Sequence, residues 1–254
     1  MVDTTSGKKR MIRYSCFIKW CYPLALIGSL LLPVTGTAIA SDLVKPHAAE
    51  YKVKISVLGG KLRTRVEAID GGFRAESSIE ATGMSRLIAR GSIRESSIIR
   101  ATDTGLRPER FISVDTLSKG GEAVDLEFDW ADKSIGGTID GDEFNTDIDG
   151  DVHDRVSLQY GLMHDLLSGI DRTQYSLQDA EKLKLLSITN IGSQQVKVPF
   201  GRFEAIGIQH QAANSSRITT LWCVEELGFL PVIIEQHRKG KRQMRAVLTE
   251  YQTL

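Results

Sequence analysis

From Tyr51 onward, apolar and polar side chains alternate with a period of two. Tyr51, Val53 and Ile55 interleave with Lys52, Lys54 and Ser56, and Gly59-Gly60 turns the chain into Leu62, Thr64, Val66 and Ala68. Asp70-Gly71-Gly72 turns it again into Phe73, Ala75, Ser77 and Ile79. Successive side chains of a strand face opposite sides, so this alternation builds half-buried strands, and the glycine pairs supply the turns of a meander. Further runs follow at Ser92 to Thr102, Arg110 to Leu117, Val124 to Trp130 and Ile135 to Ile139. The pattern resumes at Lys184 to Asn190, Gln195 to Pro199, Phe203 to Gln211, Arg217 to Cys223, Phe229 to His237 and Met244 to Tyr251, with Gly192 and Gly201 as breaks. It predicts a mainly β protein: a large antiparallel meander forming a curved sheet, an open barrel or a sandwich.

One segment departs from this period. Over about 154–168, Val156, Tyr160, Met163 and Leu167 share a helical stripe, Asp154 is placed to cap the first turn, and Gly169 is placed to end the helix. A single amphipathic helix in a β chain covers apolar sheet surface. Tyr51, Val53, Phe73, Ile79, Leu126, Phe128, Trp222 and Val232 are expected to line much of one concave face, with Tyr160 and Met163 closing it. Tyr160, Met163 and Trp222 are the side chains expected to touch an apolar ligand on that face.

The N-terminus changes the reading of compartment. Lys8, Lys9, Arg10, Arg13 and Lys19 precede an apolar stretch from Trp20 to Val34, which closes on Ala38-Ile39-Ala40. This is the layout of a secretory signal peptide with cleavage after Ala40, leaving a single all-β exported domain over 41–254 in the periplasm. The apolar run is broken by Pro23 and Pro33 and falls short of the roughly 20 residues that span a bilayer, so no stable transmembrane segment is expected in the mature chain. The whole chain carries 32 basic and 32 acidic residues, and removal of residues 1–40 leaves a net charge of −4. That balance argues against a nucleic-acid partner. Cys223 is then the remaining cysteine, so no intrachain disulfide is expected.

Candidate chemistry is sparse. The chain has no G-x-S-x-G, Walker A, H-E-x-x-H or C-x-x-C motif, and no catalytic residue, cofactor or resident metal is predicted. His164 and Asp165 are helix neighbours, so their side chains are expected to diverge. Asp147, Asp149 and Asp151 alternate as in the first half of a calcium loop, but the glycine falls at 150 and Leu158 occupies the place of the closing glutamate, which favours a solvated loop. The run His237-Arg238-Lys239-Gly240-Lys241-Arg242 concentrates positive charge at a hairpin tip. It suits anionic headgroups or, more simply, a soluble turn that keeps an edge from aggregating.

Five short motifs occur in a fixed order: Gly105-Leu106-x-Pro108, Asp154-Arg155-Val156-Ser157, Val198-Pro199-Phe200-Gly201-x-Phe203, Thr219-x-Leu221-Trp222 and Leu230-Pro231-Val232. Together they resemble the bacterial domain-of-unknown-function family 3108, and Asp154, Ser157, Gly201 and Pro231 are the structural positions that carry the likeness. The resemblance implies an exported, β-rich envelope protein and brings no catalytic residues. The resulting expectation is a non-catalytic periplasmic envelope protein that binds or carries an apolar or amphipathic, lipid-like molecule. The alternative is an envelope interaction or scaffold protein working through sheet edges or the helix, and the third choice is an unrecognised hydrolase.

Overall fold

The computed structural model describes residues 44–254, so the signal-peptide reading of residues 1–40 lies outside the described residues. The strands are β1 His47–Ile55, β2 Leu58–Ile69, β3 Gly72–Ala81, β4 Ser92–Thr102, β5 Gly105–Asp115, β6 Glu122–Asp129, β7 Ser134–Ile139, β8 Asp142–Asp147 and β9 Val152–His153. Then come helix α1 Ser157–Leu167, β10 Gln174–Asp179, β11 Lys182–Val198, β12 Gly201–Ala212, β13 Arg217–Val224, β14 Leu230–Arg238 and β15 Lys241–Thr253.

All fifteen strands belong to one sheet, in the order β8-β7-β6-β5-β4-β3-β2-β1-β15-β14-β13-β12-β11-β10-β9. Every neighbouring pair is antiparallel except β9 with β10. The first strand therefore lies in the middle of the sheet. The chain steps outward to the edge at β8, crosses through β9 and α1, and steps back from the opposite edge to pair β15 with β1. The sheet is not closed, because β8 and β9 remain edges.

The period-two pattern fixes which face is buried. Tyr51, Val53, Val66, Phe73, Ala75, Phe111, Leu126 and Phe128 are buried on one wing, and Leu221, Cys223, Leu230, Val232 and Leu248 on the other, all in one apolar cluster. Helix α1 packs chiefly on β5, and Tyr160 meets Phe73 edge-on at 5.6 Å. Its burial exceeds a single stripe: Ser157, Gly161, His164 and Asp165 are buried along with Tyr160, Leu162 and Met163. Leu→Ala-type truncations in packed cores cost about 2–5 kcal/mol. Met163 is buried on this helix, and Met163→Ala is expected to lower stability by about 3 kcal/mol in urea denaturation. A loss below about 1 kcal/mol would mean that the helix sits over slack space rather than packed side chains.

Several local expectations are corrected. The regular helix starts at Ser157, after a turn at Arg155-Val156, rather than at Asp154. The two strands expected at 184–190 and 195–199 are a single strand, β11, whose pairing with β12 slips between Asn190 and Ser193. Gly192, at φ 88°, belongs to that bulge, and a bulge bends a strand without ending it. The run expected at 110–117 begins earlier, at Gly105. A short 3-10 turn at Gly83–Leu87 and the two-residue β9 had no period long enough to read.

Candidate functional site

Glu95 and Ser97 on β4 point to the helix side. Ser97 Oγ donates to Asp154 Oδ2 at 2.6 Å, and Glu95 Oε1 lies 2.9 Å from Arg155 Nε. The pleat then places Arg94 and Ser96 on the opposite face. Strand register extends that face into two rows: Glu50–Arg63–Ser78–Arg94–Val114 and Ala48–Arg65–Glu76–Ser96–Ile112. The short side chains of Ala48, Ser78 and Ser96 leave a depression among longer neighbours. It is a groove of about 1040 Å³ that runs across β15, β1, β2, β3, β4 and β5.

The groove has apolar ends and a charged middle. Ile112 and Val114 stand at the β5 end, and Phe200 and Tyr251 at the β15 end. Arg63 is held by Glu50 at 3.2 Å and Glu80 at 2.7 Å, and Arg65 by Glu67 at 2.6 Å. Arg94 makes no ion pair among the described residues, and its guanidinium is the free cation of the groove.

The motif residues build the β15 end. β14 pairs with β15 no further than Ile233 and Val247. Beyond that point the Phe200 amide donates to the Leu248 carbonyl at 3.3 Å. Pro231, which lacks an N–H, falls on the stretch of β14 that has left β15. A Cβ at Gly201 would lie 2.8 Å from the Phe203 ring. The bare backbone there lets Phe203 stack on Phe200 at 6.0 Å, while Phe200 meets the Tyr251 ring at 6.2 Å.

The three expected ligand contacts do not line this groove. Tyr160 and Met163 are buried in the core beneath the helix. Trp222 is partly buried, and a Cβ on Gly207 would lie within 3 Å of both Trp222 and Ile191. Tyr160 and Met163 belong to the apolar core, and Trp222 packs against it. A small pocket of about 10 Å³ lies between α1 and β5 beside Gly161, His153 and Asp165 and has room for roughly one water.

Two polar networks lie around helix α1. In the first, Asp154 Oδ1 accepts the amides of Val156 at 2.7 Å and Ser157 at 2.8 Å, and Ser157 Oγ accepts the Asp154 amide at 2.9 Å. This reciprocal pairing follows the logic of a capping box. Burial pushes the Asp154 carboxyl above its ordinary value, against the opposing hydrogen bonds from Ser97, Ser157 and Val156. Burial likewise raises Glu95, with Arg155 opposing and Asp154 adding to it. Arg155 lies 2.9 Å from Glu95, 2.7 Å from Glu122 and 3.3 Å from Asp179, so one guanidinium joins β4, β6 and β10.

In the second network His164 Nδ1 lies 3.1 Å from Asp165 Oδ1. The expectation that these neighbours diverge is therefore wrong: the short aspartate turns back along the helix to meet the ring. Tyr175 Oη donates to Asp165 Oδ2 at 2.7 Å, and Arg172 Nε at 2.6 Å. Burial alone would raise Asp165, but these three donors outweigh it and hold the carboxyl below its ordinary value. His153 is pushed down to about 4 by burial, helped by Arg172. Burial raises the Cys223 thiol to about 12, which makes it an apolar filler at neutral pH. Asp151 turns to Arg107 and Arg172, and among the described residues no group of three His, Cys, Asp or Glu side chains is arranged to hold a metal.

The architecture is a β-barrel-like open sheet wrapped on one buried helix, with a groove on its far face. The chain belongs to the family described as "Protein of unknown function (DUF3108)", whose model matches residues 48–246. The fold is similar to a β-barrel-like protein of the domain-of-unknown-function family DUF1849 from Brucella abortus, at TM-score 0.55 and 12% identity, covering 83% of this chain and 98% of that one. A candidate lipoprotein from Parabacteroides distasonis aligns at TM-score 0.31 and 14% identity, covering 84% and 98%. No curated protein matches the sequence. Among the described residues no helix is long and apolar enough to cross a membrane.

Proposed function

We propose that this chain is a non-catalytic envelope protein, exported through residues 1–40, that binds an amphipathic anionic molecule in the groove on the far face of its sheet. The observation that carries this reading is the pairing of a free Arg94 guanidinium with apolar ends in one groove of about 1040 Å³. A guanidinium offers a planar fork of donors to a carboxylate or phosphate, and the Ile112–Val114 and Phe200–Tyr251 ends offer apolar surface to a chain or ring. The reading is placed on this face because the wide groove lies here, whereas Tyr160 and Met163 are core residues. The alternative, a scaffold that recruits partners by strand addition, is favoured by the unpaired edge of β8.

The test is titration with a fluorescent fatty acid. Arg94→Ala is expected to weaken binding about tenfold, the loss of one charge-assisted contact of about 1.5 kcal/mol. Val114→Glu, at an exposed position, is expected to weaken it as well. A probe that does not bind, or binds equally to both variants, removes the groove reading. Strand-mediated capture blocked by a proline in β8 would then favour the scaffold.

A further inference from the structure

The four most exposed large apolar side chains among the described residues lie at one end of the sheet: Val57 at 86%, Met84 at 77%, Ile88 at 77% and Leu87 at 65%. The other exposed apolar side chains are scattered and less exposed, Ile55 beside Val57 excepted. Val57 sits in the turn between β1 and β2, and Met84, Leu87 and Ile88 sit in the connection between β3 and β4. Since β1, β2, β3 and β4 are consecutive neighbours, topology sets these turns side by side.

Hydrogen bonds pin them there. The Gly59 amide donates to Ser85 Oγ at 2.8 Å, and the Thr82 amide donates to the Gly59 carbonyl at 3.0 Å. On the other flank the Ser56 amide donates to the Gln243 carbonyl at 3.1 Å. This brings in the β14–β15 hairpin, which carries Arg238, Lys239, Lys241 and Arg242, all exposed. Arg86 and Arg90, also exposed, flank the apolar residues on the β3–β4 connection. Segments 55–59, 81–91 and 236–243 contain no Asp or Glu and no Phe, Tyr or Trp. Of the six cations, Arg242 alone has an ion-pair partner among the described residues, Glu235 at 3.2 Å.

We propose that this end of the sheet docks on a lipid bilayer bearing anionic headgroups, with Val57, Met84, Leu87 and Ile88 entering the interface and the six cations lying among the headgroups. Aliphatic side chains on turns, ringed by unpaired Lys and Arg, combine apolar burial with attraction to anionic lipid, and the two terms add. Protein interfaces are instead depleted in lysine, and this end carries Lys239 and Lys241. The site is distinct from the groove: Arg94 and its neighbours lie along the strands, whereas the docking residues lie in the turns beyond them. The proposal therefore stands or falls independently of a groove ligand.

The experiment uses the chain beginning at Ser41, so that the apolar segment Trp20 to Val34 does not bind lipid itself. The described residues 44–254 form one compact unit, and circular dichroism verifies that the sheet is retained. Co-sedimentation is measured with vesicles of phosphatidylglycerol and phosphatidylethanolamine, and with phosphatidylcholine alone. Binding to the anionic vesicles and not to phosphatidylcholine, lost at high salt, is expected. The variant Val57→Ser/Met84→Ser/Leu87→Ser/Ile88→Ser changes exposed positions only and is expected to bind at least tenfold more weakly. Lys239→Glu/Lys241→Glu is expected to do the same. Equal binding to both vesicle types, no binding, or binding unchanged in the fourfold serine variant overturns the proposal. So does a Met84→Cys chain, carrying an environment-sensitive dye, whose emission fails to shift to the blue on anionic vesicles. A discrete protein crosslinked through that position in place of lipid would assign the patch to a protein partner instead.

Discussion

Replacing Arg155 by leucine is expected to lower stability by about 3 kcal/mol at pH 7, because removing one partner of a buried ion pair leaves the other charge uncompensated. Here three carboxylates are left, on Glu95, Glu122 and Asp179. Burial already raises Glu95 in the native chain. A carboxyl whose folded pKa lies above its unfolded value favours the folded state when protonated, and that contribution fades as pH rises through the folded pKa. Without Arg155 the folded pKa of Glu95 rises further. The deficit of Arg155→Leu against the native chain is therefore largest above that pKa and shrinks as pH falls toward the ordinary glutamate range. Urea denaturation at pH 7.5 and pH 5 measures it, and adding Glu95→Gln recovers most of the loss. A deficit equal at both pH values would show that Arg155 acts through packing on Phe111, 5.3 Å from its guanidinium, rather than through charge.

The second large effect is at Asp154. Asp154→Ala strands the Ser97 hydroxyl and the Val156 and Ser157 amides, all buried, and a cost of about 2–4 kcal/mol is expected. Asp154→Asn keeps an acceptor for the two amides, and its NH₂ can donate to the Ser97 oxygen, which also accepts. It also removes a buried charge whose folded pKa is raised by burial. The native carboxylate loses stability as pH rises above its unfolded value, so the Asn variant gains on the native chain over the same window and then levels off. Thermal melts from pH 3.5 to pH 8 follow this. If Asn is as damaging as Ala at neutral pH, the charge itself is required and hydrogen bonding is not the explanation.

Period-two alternation made the wings of the sheet legible, because each strand buries one face and the side-chain period admits no other register. The helix was legible from Val156, Tyr160 and Met163. The continuity of β11 was not: Gly192 reads as a break in isolation, and pairing with β12 carries the strand past it. The contact between His164 and Asp165 depends on Arg172 and Tyr175, which arrive from β10 and the segment before it. The groove was hidden for a different reason. Arg63, Arg65 and Arg94 occupy the polar half of the alternation, which reads as solvated surface until register brings β2 and β4 onto one face on either side of β3. A signal was present in the short Ser78 and Ser96 that interrupt those long side chains.

The seam between β1 and β15 has a consequence for how the chain reaches its native state. Each wing is a run of adjacent hairpins, whose contacts close short loops. The seam pairs Tyr51 with Leu248 and Ile55 with Met244, across nearly the whole described chain. Loop-closure entropy makes such distant pairing slow, and high contact order delays folding. Until β15 has been made, β1 has an unpaired edge in what will become the centre of the sheet. The nascent wing β1 to β8 thus stays an open, incompletely cored meander during synthesis. Until that last strand arrives, the β1 edge is open to pairing with a strand of another chain.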